Sequence, residues 1–258
     1  MKSIWLTALA KDETKVQDLM RQFKKYGLEV RGHFWEDNLD KMSWIAPREE
    51  ILKPEVVLWV ILVAPGEMEK ESVRYGLSLL ALTVKTARGA GFPILALIPE
   101  EWETPEALPT PFRDFEFLKT SDPGLPAKVV ALSHSPKPSG NGLPYRLDVY
   151  GNVQIGQWFE VGPAKEAWEG AVFGVDEGEI LFHAVGPSGR LPERAVLNYP
   201  MKGLEMELDG RKLTAWAVQN PLEPGESYFI KVEGHPNYVV FGPFPKEDQV
   251  ELYTLRLK

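Results

Sequence analysis

Three glutamates follow a buried strand at alternating positions. Glu67, Glu69 and Glu71 come after the unbroken apolar run of residues 56–63. One of these carboxylates could reach a pocket beyond the strand and stabilise positive charge in a transition state. The alternative interpretation is structural, because acids at the start of a helix are stabilised by the helix dipole. The pattern favours the structural interpretation. The three glutamates nevertheless remain the candidate catalytic residues.

A second group of polar residues follows an earlier strand. Trp35, Glu36 and Asp37 lie at the end of the predicted strand 28–35. The acids could bind the hydroxyls of a ribose while the indole stacks on a base; alternatively, the tryptophan is packed and the acids are exposed. Thr7, near the end of the first strand, joins these three as a candidate ligand-binding residue, because parallel strands end at one edge of the sheet.

Other common chemistries find no support in the sequence. The chain has no cysteine, and its four histidines share no metal-ligand spacing, so no metal site is predicted. It contains no Gly-x-Gly-x-x-Gly after the first strand, no P-loop and no Gly-x-Ser-x-Gly elbow. The usual dinucleotide, NTPase and hydrolase motifs are therefore missing.

The first half of the chain alternates strands with helices. Apolar runs predict strands at residues 3–9, 28–35, 56–63 and 94–98, and helical spacing predicts helices between them. Strands without polar alternation are typical of a parallel sheet covered on both faces. The fold class predicted for residues 1–125 is therefore α/β, a doubly wound parallel sheet of the flavodoxin-like type.

After residue 145 the pattern changes to short apolar strands separated by glycine and proline, which predicts an all-β sandwich over residues 145–258. A breaker-rich stretch, residues 126–144, is predicted to link the two domains. Tyr228, four residues after Pro224, matches a tyrosine corner, whose hydroxyl bonds back to the backbone. On these residues the second half resembles a fibronectin type III domain.

The first half resembles the Toll/interleukin-receptor (TIR) family. The first strand is followed by Lys11-Asp12-Glu13, the second leads to Trp35-Glu36-Asp37, and residues 72–77 follow the central strand. TIR domains commonly carry a segment like Ser-x-Trp-Val-x-x-Glu-Leu at that last place. In enzymatic members its Glu binds the nicotinamide ribose during NAD cleavage. Aligned on Val73 and Leu77, that position is Gly76, which cannot hold a ribose hydroxyl.

Composition limits the partners. The net charge of -8 argues against a broad nucleic-acid surface and against an anionic membrane surface, and no apolar run is long enough to span a membrane. A missing leader pattern and the absence of cysteine favour the cytoplasm. We expect no resident cofactor, although NAD could be a ligand or substrate.

The leading hypothesis is a cytoplasmic TIR-like signalling or assembly module joined to a sandwich that serves as an interaction domain. We expect the chain to bind a protein partner or to associate with itself. It would lack NAD hydrolase activity, because Gly76 replaces the expected glutamate. The alternatives are a NAD-cleaving hydrolase that uses Glu67, Glu69 or Glu71, and a carbohydrate-binding protein that uses aromatic residues of the sandwich.

Overall fold

A computed structural model describes residues 2–102, 108–134, 142–245 and 251–258. The chain divides into two compact units. The first comprises Met1–Leu108 with Phe112–Gly140, and the second comprises Asn141–Lys258 with the short segment Pro109–Pro111. In the described part of the chain, no helix is both long and apolar enough to cross a membrane.

The described residues of the first unit form an α/β structure with a five-stranded parallel sheet in the order β2-β1-β3-β4-β5. Its elements are β1 (Ser3–Ala8), α1 (Glu13–Lys24), β2 (Glu29–Phe34), α2 (Arg48–Ile51), β3 (Val56–Leu62), α3 (Glu71–Arg88), β4 (Ile94–Ile98), β5 (Glu116–Lys119) and α4 (Leu125–His134). Short 3-10 helices cover Ser43–Ile45, Glu67–Glu69 and Thr110–Phe112. The first two residues of the last one belong to the short segment Pro109–Pro111, which is assigned to the second unit.

One face of the parallel sheet packs against α1 and α4. Leu6 and Val60 from the strands meet Phe23 of α1 and Val129 of α4 in one buried cluster. The start of α1 is fixed by Asp12, whose carboxylate accepts a hydrogen bond from the backbone N–H of Lys15 at 3.0 Å. The apolar stripe of α1 therefore faces the sheet, as its spacing predicts.

Helix α4 differs from the sequence prediction, which placed residues 126–144 in a linker. Residues 126–134 are helical, and Leu125, Val129 and Leu132 are buried against the sheet. These three residues recur at helical spacing, so they cover apolar sheet surface that would otherwise be exposed. Residues 135–141 of the predicted linker lie outside the described residues.

The second unit is built from two antiparallel sheets in its described residues. Their orders are β10-β11-β8-β13-β14 and β6-β7-β12-β9. The strands are β6 (Tyr145–Asn152), β7 (Gly156–Pro163), β8 (Ala171–Val175), β9 (Glu179–Pro187), β10 (Met201–Leu208), β11 (Arg211–Val218), β12 (Glu226–Glu233), β13 (Tyr238–Pro243) and β14 (Tyr253–Arg256). Phe159 of one sheet meets Phe173 of the other with ring centroids 5.2 Å apart, so the two sheets form a β-sandwich.

The tyrosine-corner prediction was wrong in its bonding. Tyr228 is fully buried, but its hydroxyl bonds to Nδ1 of His183 at 2.8 Å and not to a nearby backbone group. Tyr228 and His183 lie on the neighbouring strands β12 and β9, and both side chains point between the sheets. The tyrosine therefore ties two strands together within the core.

Candidate functional site

The site predicted from the sequence lies beyond the carboxyl ends of β1, β2 and β3, and we call this region the rim. It comprises residues 8–12, 35–44 and 63–76. The backbone N–H of Trp35 donates to the carbonyl of Ala8 at 2.8 Å, which holds the segment after β2 beside the end of β1. Helix α3 begins at the rim and runs back along the sheet, so its first turns face the same region.

Thr7 is placed inside the sheet. Its side chain is fully buried, and its hydroxyl accepts a hydrogen bond from Nε1 of Trp59 at 2.8 Å. Thr7 and Trp59 lie on the adjacent strands β1 and β3, so this bond satisfies the indole N–H that the core would otherwise bury without an acceptor. In this arrangement Thr7 presents no surface to a ligand.

The indole of Trp35 lies against the backbone of Gly76. A Cβ atom added to Gly76 would be 2.8 Å from Cζ2 and 3.4 Å from Cη2 of Trp35, and 3.2 Å from Cβ of Trp44. Glycine in the middle of a helix costs about 1 kcal/mol relative to alanine, so this position needs a compensating contact. The two tryptophans supply that contact. We call the concavity at Gly76 that receives the Trp35 ring the Gly76 notch.

Two ring nitrogens near the notch are buried without a hydrogen-bond partner among the described residues. They are Nε2 of His33 and Nε1 of Trp35, whose ring centroids are 6.4 Å apart. The other nitrogen of His33, Nδ1, accepts from Nε1 of Trp5 at 3.2 Å. Burial lowers the pKa of His33 to about 4, so the ring is neutral at pH 7. A neutral ring that accepts at Nδ1 carries its proton on Nε2. Both buried nitrogens are therefore N–H donors.

The acids after β2 face outward. Glu36 and Asp37 are exposed, and a carboxylate oxygen of Asp37 accepts a hydrogen bond from the hydroxyl of Ser72 at 2.8 Å. This contact joins the segment after β2 to the first turn of α3. The structure thus brings Trp35 and Asp37 to the same rim, with the indole turned inward and the carboxylate turned toward solvent.

The three candidate glutamates lie on the outer side of the rim. Glu67 forms an ion pair with Lys70 at 2.8 Å, while Glu69 and Glu71 are exposed. Arg74 donates to the carbonyls of Met68 and Glu69 at 3.0 and 2.7 Å, which fixes the backbone of the 3-10 turn. These bonds hold the backbone of the turn in place at the N-terminus of α3.

Position 76 of α3 leaves no room for a side chain. Gly76 has no side chain, and the Trp35 ring occupies the space into which a glutamate would project. Four surface pockets formed by described residues lie elsewhere, and their linings do not include Trp35, Glu36, Asp37 or a glutamate of the 3-10 turn. Within the described residues there is no cluster of three potential metal ligands.

The sequence did not single out His33 or Trp44 as site residues. His33 precedes Trp35 by two positions, and alternate residues of a strand share a face, so this spacing could have indicated their proximity. Trp44 lies in the 3-10 helix Ser43–Ile45, and no local pattern connects it with Gly76. Its contact depends on how the segment before α2 folds back over α3.

The aromatic residues of the sandwich are mostly engaged in packing. Trp168 is buried, the ammonium of Lys202 lies 4.4 Å from the ring centroid of Trp216, and Arg211 covers Tyr238 at 4.1 Å. Tyr199 is 78% exposed. Trp158 is half-buried and meets Phe182 edge to face at 5.9 Å, so the ring pair does not form one flat platform.

No known protein family matches this chain, and no curated protein sequence matches it. The geometry of the rim and of the sandwich therefore carries the functional argument.

Proposed function

We propose that this chain is a TIR-like signalling or assembly module without NAD hydrolase activity, joined to a sandwich that serves as an interaction domain. The strand order 2-1-3-4-5 supports the first part, because it is the flavodoxin-like order. The resemblance of the segments after β1, β2 and β3 to TIR domains supports the TIR-like part of the proposal.

The contact between Trp35 and Gly76 is the observation that carries the proposal. A catalytic glutamate at position 76 would require the indole to move, since even a Cβ would stand 2.8 Å from Cζ2. In this chain an aromatic ring lies at the position where the enzymatic TIR domains have a carboxylate. A rim filled in this way suits a scaffold better than a hydrolase.

The carboxylates of the neighbouring 3-10 turn do not replace the missing glutamate in this arrangement. Glu67 is paired with Lys70, and Glu69 is exposed on the side of the turn that faces solvent. A catalytic carboxylate must lie within hydrogen-bond reach of the reacting group. These side chains would have to turn toward the Gly76 notch before they could act.

The sandwich contributes exposed apolar side chains that a partner could cover. Leu181 and Phe182 of β9 are 41% and 48% exposed, and β9 is the last strand of its sheet among the described residues. Consecutive exposed side chains arise here because the register slips opposite Lys231 and Val232, which places Leu181 in a bulge. Apolar surface at a sheet edge is typical of interaction sites.

The first test is an NAD cleavage assay on the purified full chain. The release of nicotinamide is measured at protein concentrations up to the solubility limit. We expect no turnover above that of buffer. Turnover that disappears in Glu71→Ala, or in Glu67→Ala or Glu69→Ala, would overturn the proposal in favour of a hydrolase. An exposed acid of the sandwich, Glu233, provides the matched control as Glu233→Ala.

The second test measures association. Light scattering coupled to size-exclusion chromatography, over a range of protein concentrations, should show that the full chain self-associates or forms a complex with a captured protein. Phe182→Ser should abolish that association. A chain that stays monomeric, captures no protein and instead binds oligosaccharides in a glycan screen would support the carbohydrate-binding alternative.

A further inference from the structure

The notch at Gly76 is shaped for the edge of a flat ring. The backbone angle φ of Gly76 is not in the left-handed region, so the glycine is not required by the helix conformation. Its role is the close approach of Trp35, with the nearest ring carbon 2.8 Å from the position that a Cβ would take. Trp44 also borders the notch, and its Cβ stands 3.2 Å from that position.

The ring that now fills the notch leaves two hydrogen-bond donors unsatisfied. Nε2–H of His33 and Nε1–H of Trp35 are buried and have no acceptor among the described residues. Leaving a buried donor without an acceptor is unfavourable, because the group has lost its hydrogen bonds to water. The tautomer of His33 cannot relieve this cost, because Trp5 donates to Nδ1 at 3.2 Å and keeps the proton on Nε2. The filled rim therefore stores an unfavourable free energy.

The Trp35 side chain can leave the notch without breaking the sheet. Trp35 follows Phe34, the last residue of β2, and β2 is the outermost strand of the described sheet. The backbone N–H of Trp35 donates to Ala8, and this bond does not involve the side chain. Trp35 is partly buried, with its Nε1 inaccessible to solvent. Rotation about the side-chain bonds would move the indole without breaking this backbone hydrogen bond.

We propose that the rim is a gated binding site in which Trp35 is the gate. A planar aromatic ligand that carries a carbonyl or carboxylate oxygen takes the place of the indole in the Gly76 notch. Its oxygen accepts a hydrogen bond from Nε2–H of His33, and the N–H of Trp35 becomes hydrated. The ligand thus satisfies the donor of His33, and water satisfies the donor of Trp35; the closed rim leaves both unsatisfied. This site is non-catalytic and does not depend on the self-association of the chain.

The test uses benzoate as the probe, and benzylammonium as a ring of similar size that lacks an acceptor. Isothermal titration calorimetry on the full chain should show saturable binding of benzoate and none of benzylammonium. In NMR spectra the indole N–H signal of Trp35, identified by its loss in Trp35→Phe, should shift during the benzoate titration. Absence of saturable binding, or equal binding of the two probes, would overturn the proposal.

Two variants distinguish a gate from a ligand contact. Trp35→Ala removes the competing ring, so benzoate should bind at least about threefold more tightly, because the closed state no longer reduces the population that is competent to bind. His33→Phe removes the donor, and binding should weaken about tenfold. Trp102→Ala, which removes an indole stacked on Phe117 at 5.6 Å, is the matched control and should leave affinity unchanged.

Weaker binding in Trp35→Ala would show that the indole holds the ligand and would refute the gate. If a variant fails to fold, acrylamide quenching of the unmodified chain decides the question. Benzoate should make one more tryptophan accessible, whereas a ligand that binds elsewhere leaves quenching unchanged.

Discussion

The imidazole of His183 and the hydroxyl of Tyr228 are joined by a 2.8 Å hydrogen bond between the sheets of the sandwich. The ring of His183 meets Trp216 edge to face at 4.8 Å, and the ammonium of Lys202 lies over that indole. Burial, and secondarily the charge of Lys202, lower the pKa of His183 to about 4. The histidine is therefore held in its neutral form in the folded protein.

The first prediction is a loss of stability in mild acid. The pKa of His183 is about 4 in the folded state and 6.5 ordinarily, so the unfolded chain binds more protons between these values. The free energy of unfolding should thus fall as the pH drops from about 6.5 to 4. At 1.36 kcal/mol per pH unit, the full loss from His183 is about 3 kcal/mol. His33 shifts in the same direction, so its contribution has the same sign.

Guanidinium unfolding at several pH values measures this slope. His183→Phe should flatten the pH dependence even if it also lowers stability at pH 7, because the slope depends on proton uptake alone. His134 is exposed, and His134→Gln is the control in which the contribution of His183 to the slope should remain. An unchanged slope in His183→Phe would contradict the prediction.

The second prediction concerns Arg88 at the end of α3. Its guanidinium donates to the carbonyls of Lys53 and Val56 at 2.9 and 2.7 Å and lies 4.5 Å from the ring centroid of Phe92. It therefore fixes the turn between α2 and β3. Arg88→Ala should lower the free energy of unfolding by about 2–3 kcal/mol, since hydrogen bonds to a charged group contribute about 1.5–3 kcal/mol and a buried carbonyl would lose its donor.

Arg21 provides the comparison for Arg88, because its ion pair with Asp18 is on the surface. Arg21→Ala should change the free energy of unfolding by less than about 1 kcal/mol in the same denaturation experiment. Equal effects of the two substitutions would show that the carbonyl contacts of Arg88 do not stabilise the turn.

The regular elements of the first unit could be predicted from the sequence, because apolar runs and helical spacing are local signals. Helix α4 carried a weaker signal. Leu125, Val129 and Leu132 have helical spacing, but Pro126 and the breaker-rich residues that follow favoured a linker. Proline is tolerated in the first turn of a helix, which resolves that conflict. The helix is stabilised because its apolar side chains bury the apolar surface of the sheet.

The contacts that define the site could not be predicted in the same way. Trp35 and Gly76 belong to segments that meet only when α3 packs on the sheet, and nothing in either segment encodes the meeting. The same holds for His183 and Tyr228, where a local motif suggested a backbone acceptor and the fold supplied a histidine from the next strand. The residue types predicted the region of the site, but the contacts between atoms depend on tertiary packing.

The third prediction tests the packing at the notch. In Gly76→Ala the new Cβ would stand 2.8 Å from the far edge of the Trp35 ring, so the ring should move outward. Tryptophan fluorescence should shift to longer wavelength and become more accessible to acrylamide. Stability should change little, because the gain of about 1 kcal/mol in helix propensity offsets part of the lost contact. Ala87→Gly, at an exposed position of the same helix, measures the propensity difference without removing a buried methyl group. Unchanged fluorescence in Gly76→Ala would show that the ring does not fill the notch.

The last prediction concerns Glu160, a buried carboxylate on β7. Its oxygens accept hydrogen bonds from the hydroxyls of Tyr150 and Ser227 and from the backbone N–H of Gly189, the last two at 2.7 and 3.0 Å. The guanidinium of Arg146 lies 3.7 Å away, and the carboxylate side chain is only 4% exposed. The acid therefore collects donors from the two strands β6 and β12 and from the segment after β9, and its charge is balanced within the sandwich.

Replacing this carboxylate by an amide should expose how much of the sandwich depends on it. Glu160→Gln keeps the shape, removes the charge and presents an NH₂ group to hydroxyls that now donate. Removing one partner of a buried charge pair costs about 3–5 kcal/mol, and the partial exposure of Arg146 reduces the expected loss to about 2–4 kcal/mol. Chemical denaturation measures the loss, and Glu233→Gln, at an exposed position on β12, should cost less than about 0.5 kcal/mol. A Glu160→Gln variant as stable as Glu233→Gln would mean that the donors find other acceptors, and the segment after β9 would then be held by its own turn and not by the buried acid.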